Sequence, residues 1–336
     1  MPKLKFKKKE NKIKKIVRIT NDNIAQQREE VIAQGKKFKY PFQYTKHRLV
    51  VLAILVATLA AVLFGIFGWL QLYKHQNTGD IAYRFTRVIP LPIARVDNTN
   101  IRYSDYLAFY RSSVIATEQQ QGSLDKNDDG ADLIKQYKRQ AMNMAEECTY
   151  AKSRADEFGV QVSEEDILKV EKDHRDNRSE KVFRDIVANN FGLSLKEYRR
   201  MIELSLYRKK VAEAMDSEAK KNAEEALTLL KSNGGNFSEV AKKLDKKVML
   251  DEATVPMDSM NLDGGRATEA IKLDKGEISP IFVSKNGDGY YIVSLTKKTK
   301  EEVSYRSLWI RFTKFSKAIQ QLRKDNKIKE YIELQD

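Results

Sequence analysis

Hydrophobic and polar positions change their spacing several times along the 336-residue chain, and each change predicts an element. From Leu49 to Leu70 the chain reads LVVLAILVATLAAVLFGIFGWL, 22 residues without a charge. At about 1.5 Å of rise per residue that run spans the roughly 30 Å hydrocarbon core of a bilayer, which predicts a single transmembrane helix at 49–70. Beyond it the period becomes helical. Ser104 reads as the N-cap of a helix running to Gln121. Ile134, Tyr137, Ala141, Met144, Cys148, Ala151, Ala155 and Phe158 recur at three- and four-residue steps, a long helix with one apolar stripe closed by Gly159. Ser163-Glu-Glu-Asp166 and Ser194-Leu-Lys-Glu197 fit the capping box, in which a serine oxygen and a carboxylate three residues on satisfy orphan amides. Ser179 starts a shorter helix reaching Gly192, and helical spacing from Leu195 to about Lys231 bends near Asp216-Ser217.

After Ser232-Asn-Gly-Gly235 the texture becomes mixed. Phe237–Leu244 and Ala267–Lys272 read as helices, and Ile278–Val283, Tyr290–Lys297 and Val303–Phe312 as strands, with a turn at Asn286–Gly289. A closing helix is expected from about Lys314 to Leu334. Pro90 and Pro92 confine the apolar run Val88–Val96 to an edge strand or an extended linker. The expected fold class is α+β, divided into a tail (1–48), a transmembrane helix (49–70), a linker (71–93), a helical domain (94–216), a small α+β domain (217–312) and a C-terminal helix (313–336).

Charge changes this picture at one end. The chain carries 61 Lys and Arg against 47 Asp and Glu, a net +14, but residues 1–48 hold 15 of the basic and only 4 of the acidic side chains. The basicity therefore belongs to the tail, which argues against a nucleic-acid-binding body. By the positive-inside rule the tail is cytoplasmic and residues 71–336 are extracytoplasmic. A polybasic tail is also drawn to anionic lipid, by about 1 kcal/mol per Lys or Arg near the surface. A cleavable signal peptide would have a shorter apolar run and a small-residue cleavage site, which GWLQLYKHQ lacks, so the helix reads as an uncleaved signal anchor.

Candidate chemistry is sparse. One cysteine excludes an intramolecular disulfide and any multi-cysteine zinc site, and the three histidines, His47, His75 and His174, leave little for histidine catalysis. No cofactor or metal is expected. Cys148 lies on the apolar stripe and reads as a small buried hydrophobe. Asp125-Lys-Asn-Asp-Asp-Gly130 matches the first six positions of an EF-hand loop, but the twelfth is Gln136, which cannot supply the bidentate carboxylate; an acidic turn before a helix accounts for it better.

Two stretches carry a family resemblance, together over about two-thirds of the chain. Ala267–Pro280 with Gly276-Glu-Ile-Ser279, then Phe282–Gly287 and Gly289-Tyr-Tyr-Ile-Val293, resemble the C-terminal half of a parvulin peptidyl-prolyl isomerase domain. Ala226–Gly235, Asn236-Phe237 and Val240-Ala241 resemble the helix-turn-helix before it. Ala94 to about Met215 resembles the helical chaperone domain of SurA- and PrsA-type proteins, which implies a membrane-anchored foldase-chaperone whose partners are unfolded or newly translocated polypeptides. The parvulin resemblance departs at its active positions. Tyr291 stands where the last-strand histidine would be and Ile271 where an aromatic would be, and no first strand precedes the Ala226 helix. Val303–Arg311 resembles that first strand, with Ser307 at its histidine position, which implies a permuted module whose missing strand arrives through the Lys297–Glu302 turn. Tyr291 and Ser307 could then hydrogen-bond one another across adjacent strands, a pairing that ordinary sheet packing explains as well.

Prolyl isomerisation crosses a barrier near 20 kcal/mol, eased by an apolar proline pocket and a preorganised polar network. With Tyr291, Ser307 and Ile271 at the degenerate positions, the resemblance implies a catalytically impaired module beside a polypeptide-binding function. An active parvulin-type isomerase is the alternative, and an envelope-assembly adaptor a third. Clefts lined by aromatic and Met side chains hold extended apolar segments by area burial. Tyr103, Tyr106, Phe109, Tyr110, Met142 and Met144 are the candidate lining residues, unless they pack the helices instead.

Overall fold

The computed structural model describes residues 21–39, 41–124, 130–260 and 263–334, and the chain falls into two units, Met1–Leu70 and Gln71–Asp336. The acidic turn at 125–129 and the first twenty residues of the tail lie outside the described residues. The first unit holds α1 (Asn21–Lys39) and α2 (Pro41–Trp69). From Leu49 to Phe67 every large apolar side chain of α2 is more than half exposed, on all sides. A helix of a soluble core buries one apolar stripe and shows a polar one; this one does neither. Arg48–Lys74 is long and apolar enough, by length and composition, to cross a membrane.

The second unit opens with α3 (Asp80–Val88), β1 (Pro92–Val96), β2 (Thr99–Arg102), α4 (Tyr103–Gln121) and α5 (Gly130–Arg154). Then follow α6 (Glu164–Arg175), α7 (Glu180–Phe191), α8 (Leu195–Met215), α9 (Ser217–Ser232) and α10 (Phe237–Leu244). The last third holds β3 (Met249–Pro256), α11 (Arg266–Ala270), β4 (Phe282–Val283), β5 (Gly289–Lys298), β6 (Glu302–Arg311), α12 (Lys314–Lys324) and β7 (Ile328–Glu330).

Local chemistry sets most helix ends. Both capping boxes form: Asp166 N donates to Ser163 Oγ at 3.1 Å while Ser163 N donates to Asp166 Oδ2 at 3.0 Å, and Ser194 with Glu197 repeats the exchange. Asp216 breaks α8 from α9 as expected. It is 2% exposed and accepts from Ala219 N at 3.1 Å, Thr313 N at 2.7 Å and Lys314 N at 3.2 Å, so one carboxylate caps α9 and fixes the start of α12. At α4 the expectation is corrected: the helix starts at Tyr103, with Ser104 inside it and buried, because β2 runs straight into the helix and Tyr103 N donates to Leu91 O at 2.8 Å.

Among the described residues there are two antiparallel sheets, in the orders β2-β1-β7 and β3-β6-β5-β4. β1 is the middle strand of the first, not an edge. Pro90 precedes it and Pro92 is its first residue, with a register shift before Ala94, so no amide is missing where Ala94–Val96 pairs on both sides. The expected linker 71–93 contains α3, pinned by buried Ala82, Tyr83 and Thr86. The closing helix stops at Lys324. Asn326 takes a left-handed φ of 53°, Lys327 N donates to Leu322 O and Asn326 N to Arg323 O, a Schellman-type end that frees Ile328–Glu330 to pair with β1. Pro280 interrupts the expected strand 278–283, leaving β4 and an isolated bridge from Ile278 to Ser294.

The segment Val303–Phe312 pairs with Tyr290–Lys297 as β6 against β5, in the register Tyr291↔Trp309 and Val293↔Ser307. Unanticipated β3 pairs along the other edge of β6, Asp251 opposite Ser307. One apolar core runs from the helical lobe into one face of this sheet, and a smaller one lies under α11, with Ala267, Ala270, Val293, Leu295, Val303 and Tyr305.

Candidate functional site

Two places gather candidate side chains. One is a groove of about 840 Å³ among α3, α4, α6 and α8. Each helix contributes an apolar turn to its floor: Tyr83 and Val88, Ala108, Ile167 and Leu168, and Met201 and Leu204. Val88 is 83% exposed and Leu168 41% exposed. Such open apolar area returns about 25 cal/mol per Å² when a ligand covers it.

Ion pairs fix the walls. Arg200 holds Asp105 bidentately, Nε to Oδ1 and Nη2 to Oδ2 both at 2.7 Å, tying α8 to α4. Arg199 Nε donates to Glu171 Oε2 at 2.5 Å and binds α8 to α6, and Arg87 pairs with Glu197 at 2.7 Å across α3 and α8. Asp105 and Glu171 are buried, so these are charge-assisted contacts in fixed geometry. Burial works against ionisation of Glu197, yet hydrogen bonds from Ser194 and Tyr83 and the charge of Arg87 hold its carboxyl below the usual range. The Tyr83 ring is covered by Arg111 and Arg87, 5.2 and 5.8 Å from its centroid.

The second place is the α11 face of the larger sheet. Tyr291 lies between Phe282 and Trp309, with ring centroids 6.0 and 5.9 Å away, and Arg266 sits 5.2 Å over its face. Arg266 also pairs with Asp251 and covers Tyr305, whose hydroxyl donates to Asp263 Oδ2 at 2.7 Å. A Cβ on Gly289 would sit 2.3 Å from Ile310 O and 2.6 Å from Trp309 Nε1, so glycine is what lets the strands close here.

The structure separates the residues singled out in the sequence. Tyr291 and Ser307 share a sheet face but do not hydrogen-bond, because register puts Val293 opposite Ser307: the Ser307 hydroxyl donates to Asp251 O at 3.4 Å, and Tyr291 OH donates to Asp288 Oδ2 at 3.4 Å. Tyr291 is 4% exposed and Ser307 fully buried. Ile271 follows α11, its carbonyl accepting from Lys298 Nζ at 3.1 Å.

Tyr103, Tyr106, Phe109, Tyr110 and Met142 are not among the residues lining this groove; they are buried in the core, and Met144 packs partly buried against it. Tyr73, Tyr103, Tyr106 and Tyr110 form a ladder with centroids 5.8, 5.9 and 6.3 Å apart, and Tyr103 OH finds its partner in Leu72 O at 2.7 Å. Tyrosine is at home inside once its hydroxyl has an acceptor, which is why its presence on a helix does not mark a binding face. The groove residues went unnoticed in the sequence; the available signal was the spacing of Ala82, Tyr83 and Thr86, which marks α3 as an amphipathic helix.

This is an α+β protein whose helical lobe carries an open, apolar-floored groove. Residues 42–212 match the family described as SurA-like N-terminal domain, which is half of the chain, so the chain belongs to that family. The family is of the SurA/PrsA chaperone type, and its domains bind unfolded polypeptides generally. The matched span takes in α2 apart from its first residue and, apart from the last residues of α8, all four groove helices. Comparison with curated proteins finds no match for the chain.

Proposed function

We propose that this protein is a membrane-tethered chaperone that holds unfolded or newly translocated polypeptide in the α3, α4, α6 and α8 groove. The observation that carries the reading is that groove: apolar floor, ion-paired walls, and a position inside the family-matched span. The tether is α2, whose large apolar side chains from Leu49 to Phe67 are exposed and suit lipid on every side. The 15 basic side chains of residues 1–48 support a cytoplasmic tail with anionic lipid as its partner, and an extracytoplasmic second unit. Tethering then raises the local concentration of the holdase where clients emerge.

A parvulin-type isomerase is the second reading, favoured by one observation: β6 pairs with β5, the pairing that a permuted parvulin-like module calls for. Against catalysis stands burial: Tyr291 is stacked between Phe282 and Trp309 under Arg266, and Ser307 is fully buried. We read this sheet as a scaffold. The test is the full chain in detergent, assayed for suppression of client aggregation and for capture by a photo-crosslinking residue at Leu168. Capture at Leu168 with suppression is expected. Substoichiometric catalysis of proline-limited refolding that is lost in Tyr291→Phe, without capture at Leu168, would make the isomerase the better reading. Failure of both assays would favour an envelope-assembly adaptor.

A further inference from the structure

We infer that the groove selects polypeptide segments in which an apolar side chain is flanked by aspartate or glutamate. The inference rests on the chaperone reading above and adds the charge of the client. Six cationic side chains line the groove, and Arg87, Arg199 and Arg200 are neutralised in the ion pairs already described. Among the described residues, Arg84 on α3, Arg102 at the junction of β2 and α4, and Lys196 in the first turn of α8 have no carboxylate within ion-pair distance. The Nε of Arg102 is buried and has no hydrogen-bond partner. Of the lining acids, only Glu164 is without a salt bridge, so it offsets one of the three.

These cations surround an apolar floor, and that combination sets the specificity. An apolar segment settling on the floor displaces water from Arg84, Arg102 and Lys196, and a cation stripped of water without a partner is costly. A lysine-flanked segment adds repulsion, whereas carboxylates supply the missing partners as charge-assisted hydrogen bonds. The three cations sit on three different elements around the groove, so a single C-terminal carboxylate would meet one of them. Acidic side chains spaced along an extended segment meet several.

The experiment uses the full chain in zwitterionic phosphatidylcholine nanodiscs, so that lipid adds no net charge. Three fluorescent peptides share one apolar core and an amidated C-terminus, with flanks of Asp/Glu, Ser or Lys. A fourth has Ser flanks and a free C-terminal carboxylate. The acid-flanked peptide is expected to bind about tenfold more tightly than the lysine-flanked one, in line with two or three partly solvated ion pairs, and the ratio should shrink as salt rises. In Arg84→Gln/Lys196→Gln, with thermal melting confirming an intact fold, that ratio should fall towards one. Equal affinities for acidic and lysine flanks would overturn the inference. So would an acidic preference that survives the double substitution, which would belong to the basic tail, or a free carboxylate that gains as much as acidic flanks. If the serine-flanked peptide does not bind at all, the chaperone reading itself fails.

Discussion

Glu146 on α5 makes a stability prediction with a definite sign. Its side chain is fully buried; Oε2 accepts from Arg323 Nη2 of α12 at 2.6 Å, while Oε1 is buried without a partner. Burial pushes its carboxyl up from 4.5 to about 7, Arg323 opposes that, and the neighbouring Glu330 of β7, itself held by Arg139 at 2.7 Å, adds to it. A proton on Oε1 would give that atom a donor to direct at Glu330. The native state therefore keeps a proton that the unfolded chain gives up between about pH 4.5 and 7. Native stability falls as pH rises through that window, by at most ~1.4 kcal/mol per pH unit, or about 3 kcal/mol in all. Glu146→Gln keeps the shape and removes the charge. It should match the wild type near pH 5 and exceed it by up to about 3 kcal/mol at pH 8. Urea unfolding of the full chain in detergent, followed by tryptophan fluorescence from pH 5 to 8, measures both curves. A difference between the two proteins that stays constant with pH, or that grows in favour of the wild type, would refute the reasoning.

Two further predictions follow from buried polar groups. Asp216→Ala removes the cap of α9 and strands the amides of Thr313 and Lys314, so it should lower stability by about 3 kcal/mol, with Asp216→Asn recovering part of the loss; urea midpoints of the three proteins decide it. Cys148 is buried, and burial pushes its thiol up to about 12, so it should be inert to a disulfide reagent at pH 8 in the native protein and react at once in denaturant; prompt native labelling would contradict the core position.

Much of the helical lobe was legible because its signals are local. The capping boxes at Ser163 and Ser194, the break at Asp216 and the glycine end at Gly159 depend on groups within four residues of one another. The strand β3 was not legible: most of its side chains are exposed, so Met249–Pro256 lacks the alternation that marks a half-buried strand. Nor were the roles of the tyrosines on α4. Amphipathic spacing shows that a helix has an apolar face but not whether that face meets a core or a client, and Tyr103 and Tyr106 turned inward to the ladder that begins at Tyr73. The groove was invisible for the same reason, since its floor takes a few residues from each of four helices.

The sequence by itself determined the apolar helix 49–70, the asymmetry of charge about it, and where most helices of the second unit begin and end. Those properties follow from rise per residue, side-chain solvation and hydrogen bonds between near neighbours, all present in a short stretch of chain. Only the tertiary structure decided which charges are free. Arg200 finds Asp105 from 95 residues away, and the other wall pairs likewise join residues far apart in the chain, while Arg84, Arg102 and Lys196 are left to face the groove. It also decided that Ile328–Glu330 leaves the closing helix to complete a sheet begun at Pro92. Partners this distant are chosen when packing has offset the entropy of closing the long loops between them, and no local pattern records that choice.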